Sequence, residues 1–217
     1  MALFNQSMLM YLVRLMIILL INPLHECAHA WSAYRLGDPT AKNRGRMTLS
    51  PIAHIDPWGA LLLFACGFGW AKPVPVNPRN FKNPRRDMML TAVAGPLSNL
   101  IAAAVGVAAC QMLGGYLPVQ ESGTLEIVTI MLQYFAIVNL NLCIFNMVPV
   151  PPLDGSRVLT YLLPSKAAFW MVRNQRYFYG AVMLLMLTGI LSTPLVWLTD
   201  AILTLLERAA AFLPVVV

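Results

Sequence analysis

The chain has 217 residues, 59% hydrophobic and 11% charged, with a formal net charge of +6. Soluble globular domains carry roughly 25% charged residues, so this composition excludes an ordinary soluble fold and points to an integral membrane protein. Nine of the fifteen Lys and Arg fall between Arg35 and Arg86, as in a cytoplasmic loop under the positive-inside rule, and no segment interleaves basic and aromatic residues, so no nucleic acid partner is expected.

The first predicted element is a membrane helix over Met8–Tyr34. It lacks the basic leader and small-residue cleavage site of a secretory signal, and is read as retained. Arg14 lies within it and is expected to snorkel toward the outer surface. In the basic loop that follows, Arg46–Leu49 is the one stretch with strand character. Ile52–Trp70 is apolar, but Asp56-Pro57 and Gly59 interrupt it and basic residues flank both ends. A full crossing would put one basic flank outside, so a re-entrant or interfacial hairpin is expected. Met88–Leu113 is a second span and Leu125–Leu163 a third, broken at Pro149, Pro151 and Pro152. Phe178–Leu206 reads as two short helices split at Thr193-Pro194, with Phe178–Met186 facing lipid. Gly114–Gly123 has no Lys or Arg and belongs outside, whereas Lys166, Arg173 and Arg176 mark a second cytoplasmic loop. The four cysteines have no C-x-x-C spacing and are expected as free thiols.

The expected fold is an all-α polytopic membrane protein, with residues 1–217 forming a single membrane-embedded domain. It is a helical bundle with a short cytoplasmic β element and a re-entrant hairpin.

The chemistry is concentrated in His25-Glu26-Cys27-Ala28-His29. On a helix, H-E-x-x-H sets two imidazoles on one face, where both reach one Zn²⁺, and places the Glu as general base. Ionisable groups in a membrane segment are costly and functional by default. Cys27 projects elsewhere and reads as a packing residue. A catalytic zinc needs a third protein ligand. Asp154 follows the proline-broken stretch Asn146–Leu153 inside an apolar block, and irregular backbone at that depth must line protein or water. Both His residues lie roughly 9–15 Å from the cytoplasmic boundary at Arg35, and Asp154 lies at most roughly 15 Å from it, counted from Pro164 at 1.5 Å per residue. Matching depth argues for one shared site, although Asp154 could instead cap a following helix. Asn99 and Asn146 are buried amides, suited to interhelical hydrogen bonding or to oxyanion stabilisation and substrate positioning. His54, in the basic region, suits a structural role or substrate access.

These residues resemble the site-2 proteases, intramembrane zinc metalloproteases. The likeness rests on His25–Ala30 with Ala33 and Gly37-Asp38, and on Asn146–Gly155, which fits N-x-x-P-x-P-x-L-D-G at each defined position. His54–Pro57, Gly69–Asn77 and Ala94–Asn99 resemble the compact prokaryotic branch. The resemblance implies one zinc held by His25, His29 and Asp154, with Glu26 as base and Asn99 and Asn146 lining the site. It implies hydrolysis of peptide bonds within or next to transmembrane segments, in a multi-pass cell-membrane protein whose site faces the cytoplasmic side. The PDZ domain and CBS pair of larger members are not seen, so substrate choice is expected from the helices, the hairpin or a partner. Two other readings remain open on the residues alone: an inactive relative that binds membrane proteins, and a metal transporter.

Overall fold

The computed structural model describes residues 6–67, 69–113 and 124–214. Among these the protein is helical throughout its regular elements, and no strand is found. Among the described residues, three helical stretches are long and apolar enough to cross a membrane: Met8–Arg35, Pro84–Met112 and Leu125–Asn146. Their 28, 29 and 22 residues correspond to about 33–44 Å at 1.5 Å per residue, enough for a hydrocarbon layer of about 30 Å.

The first stretch is not one regular helix. α1 (Gln6–Met16) runs into a π-helical turn at Ile17–Ile21 and then α2 (Asn22–Arg35). Pro23 has no N–H and its ring crowds the carbonyl four residues back, so the ladder widens. The Asn22 amide accordingly donates to Ile17, five residues back. A short turn, α3 (Thr40–Asn43), follows.

α4 (Pro57–Cys66) begins at Asp56, whose carboxylate accepts from the Gly59 amide at 2.9 Å. It ends at Gly67, left-handed at φ 76°. The chain then returns along α4 so closely that a Cβ on Gly69 would overlap the Gly59 carbonyl and lie 2.7 Å from Leu63 Cβ. The Lys72 amide donates to His54 O at 2.9 Å, tying together the chain on either side of α4. Arg14 differs from the expectation of snorkelling: its guanidinium donates to Phe64 O, a carbonyl in the last turn of α4.

The expected strand at Arg46–Leu49 is absent. The polar groups that would build a ladder are taken by side chains: Thr48 O accepts from His54 Nε2 at 2.8 Å, and the Ser50 amide donates to Thr48 Oγ1 at 3.1 Å.

α5 (Pro84–Met112) starts four residues earlier than its hydrophobic pattern suggests, because Asn83 caps it and Pro84 occupies its first position. It is the centre of the bundle, packed against α2 and against α6 (Thr124–Asn146). Small residues permit this approach: Ala102, Ala103, Gly106 and Val107 are buried, and Gly106 faces Phe135 and Ala136 of α6. After α6 the chain is irregular to α7 (Gly155–Leu162), then α8 (Ser165–Arg173), α9 (Gln175–Leu187) and α10 (Ser192–Ala210). The break between the last two lies at Thr188–Leu191, with Gly189 at φ 70°, and not at Thr193-Pro194. Pro194 is instead in the first turn of α10, where its missing donor costs nothing. The loop expected outside, Gly114–Gly123, lies outside the described residues.

Candidate metal centre and active site

α2 carries His25 and His29 one turn apart, with ring centroids 4.6 Å apart and planes at 89°. Their Nε2 atoms are 3.0 Å apart, and each is 3.3 Å from Asp154 Oδ2. Asp154 occupies the position before α7 but makes no capping bond with its side chain. Its Oδ2 is buried and makes no hydrogen bond. Asp154 thus lies with the two histidines, and its side chain does not cap α7. The turn that delivers it is tight: a Cβ on Gly155 would overlap the Met147 carbonyl.

Three electron-pair donors converge here at 3.0–3.3 Å from one another. They fit zinc. Bonds of about 2.0–2.1 Å in a tetrahedral site set neighbouring ligand atoms about 3.3–3.4 Å apart. His29 Nδ1 lies 2.7 Å from Thr91 O on α5, the carbonyl contact that fixes the tautomer and orientation of a metal-binding imidazole. Gly95, one turn further along α5, faces the same rings: a Cβ there would overlap His29 Nε2 and lie 2.6 Å from His25 Cε1. Thr91 has no role legible in the sequence and Gly95 only a place within Ala94–Asn99, because their part in the site lies in a backbone carbonyl and a missing side chain.

Glu26 is half-buried, and its Oε2 accepts from the Val74 amide at 2.9 Å. The triad and Glu26 open into a cavity of about 1200 Å³, larger than usual for small molecules. Its walls come from α2, the 69–76 return of the hairpin, α5, α6 and α9. The face of α9 bearing Tyr179, Met183 and Met186 lines the cavity. Phe178–Met186 is therefore not wholly lipid-facing, although Leu184 is exposed. Asn146 lines the cavity, and so does Asn141, whose amide oxygen accepts from Thr199 Oγ1 of α10 at 2.8 Å. Asn99 is wholly buried on α5 away from the cavity wall, with neither amide atom bonded. His54 is 1% exposed, bonded to Thr48 and absent from the wall. Cys27 is half-buried and apart from the triad.

The profile of Peptidase family M50 matches residues 106–188, a range that includes Asp154 and Asn146. The chain is 40% identical over 186 residues to the Bacillus subtilis (strain 168) protein named "Putative zinc metalloprotease YwhC", covering 84% of this chain and 82% of that one. It is 31% identical over 142 residues to Rip2 of Mycobacterium tuberculosis, which carries the same description, covering 63% of this chain and 51% of Rip2. No solved structure matches.

Proposed function

The chain belongs to peptidase family M50, the site-2 proteases, and we propose that it hydrolyses peptide bonds within or next to transmembrane segments of membrane proteins. The observation that carries this reading is the convergence of His25, His29 and Asp154 beside Glu26, on a cavity walled by membrane-spanning helices.

His25, His29 and Asp154 would hold one Zn²⁺. Bound there, zinc supplies Lewis-acid activation of water and of the scissile carbonyl. Glu26 takes the water proton and passes it to the leaving amine. Asn146, on the cavity wall, is the amide we assign to the developing oxyanion or to holding the peptide; Asn99 supports α5 from within the bundle. A helical substrate must unwind to expose a carbonyl, and the extended return at 69–76 offers backbone groups along one side of the cavity. Residues 1–217 act as a single membrane-embedded domain.

The hairpin is read as re-entrant because its two ends are hydrogen-bonded together and α4, at ten residues, is too short to cross. Its basic flanks favour a mouth of the site on the cytoplasmic side of a multi-pass cell-membrane protein. The test is Glu26→Gln in zinc-loaded protein acting on a single-span reporter. Loss of about 10²–10⁴-fold in kcat, with one zinc retained, is expected. Cleavage at the wild-type rate would overturn the reading, and zinc held by a wild type that cleaves no membrane segment would favour the inactive relative.

A further inference from the structure

The return of the hairpin reads Lys72-Pro73-Val74-Pro75-Val76-Asn77. Proline has no N–H, so Val74 carries the one amide between Lys72 and Val76. That amide donates to Glu26 Oε2 at 2.9 Å. Among the described residues no other hydrogen bond reaches this carboxylate, and its second oxygen stays free.

The segment is tied down on both sides of Val74. Upstream, the Lys72 amide donates to His54 O at 2.9 Å. The buried Arg46 guanidinium donates to Lys72 O and, at 3.3 Å, to Pro73 O. Downstream, the Asn77 amide donates to Asp38 Oδ2 at 2.7 Å. Asp38 is fully buried, and its other oxygen accepts from the Thr40 amide at 3.0 Å and from Asn80 Nδ2 at 2.6 Å. Two prolines stiffen the chain between these ties. Buried bonds to backbone at both ends suit a fixed brace and not a lid.

We infer that Arg46 and Asp38 are positioning residues for catalysis, holding the Pro73-Val74-Pro75 strap so that the Val74 amide orients the Glu26 carboxylate. This rests on the reading of Glu26 as general base. A free Glu side chain would have to be fixed anew at each turnover, and small misplacements of a reacting group cost up to about 100-fold in rate.

Val74→Pro removes the donor from a segment already rich in proline. Measured on zinc-loaded protein with a single-span reporter carrying a helix-breaking proline in its span, kcat should fall about 10–100-fold, with KM and zinc stoichiometry held. Arg46→Lys should move kcat the same way by less, and the double variant should be no worse than Val74→Pro alone, because both act through one bond. An unchanged or increased kcat, or multiplying effects, would overturn the inference. If Val74→Pro unfolds or sheds zinc, Arg46→Lys decides alone: a loss confined to kcat supports the brace, and a loss in zinc or KM overturns it. A substrate-free arm follows exchange of the Val74 amide by NMR, which should quicken at least about tenfold when Glu26→Ala deletes its acceptor; unaltered exchange would also overturn the brace. Cleavage surviving in Glu26→Gln would instead remove the function beneath it.

Discussion

Gly95 and Asp38 illustrate how single residues set the site without touching substrate. At Gly95 there is room for hydrogen alone beside the two imidazoles. Gly95→Ala must push His25 and His29 off their common point. Zinc affinity, measured by chelator competition, should fall about 10–100-fold, the range found when groups supporting metal ligands are disturbed. Burial raises the Asp38 pKa, but hydrogen bonds from the Thr40 and Asn80 side chains and from the Asn77 and Thr40 amides outweigh it, so the carboxyl is held below its ordinary 3.8. A depressed folded pKa means that its contribution is fully present above the unfolded value and disappears as pH falls through the folded one. Thermal unfolding followed from pH 7 to below pH 3.8 should show that loss in wild type. In Asp38→Asn it should be smaller, from a baseline already lowered by about 1–3 kcal/mol.

At the scale of elements, the irregular places carry the function. The π turn before His25 follows from Pro23, and the tight turn before α7 needs Gly155. The hairpin is held at its tip by Arg14 and at its base by Arg46 and Asp38. Arg14 sits within an apolar span and its Nε is buried without a partner, so its bond to Phe64 O is the compensation for placing a charge there. Arg14→Met removes that donor from the last turn of α4. It should lower the melting temperature in detergent by the equivalent of about 1–3 kcal/mol, the cost of an unmade buried bond. Arg14→Lys, with a compact charge on a flexible stem, should recover only part of it.

For the whole molecule, the decisive feature is that α5 packs against both α2 and α7, so segments about 125 residues apart meet at one point. Membrane topology is a prediction at this scale. Single cysteines at Arg44 and Lys72 should react with an impermeant thiol reagent from the same, cytoplasmic, face; labelling from opposite faces would make the hairpin a crossing. The sequence by itself determined the membrane class, the existence of three spans though not the end of the third at Asn146 in place of Leu163, and His25, Glu26, His29 and Asp154 as candidates. Apolar run length, basic clustering and a fixed i, i+4 spacing are local properties that survive without a fold. It did not carry the partner of Arg14, the break at Thr188–Leu191, the cavity face of α9 or the absence of a strand at Arg46–Leu49. Nor did it separate Asn146 on the cavity wall from Asn99 behind it. Those depend on which carbonyl, amide or empty space another segment brings up. Backbone groups are the same at every position, so only tertiary packing decided that the Val74 amide meets Glu26 and that Gly95 meets the histidines.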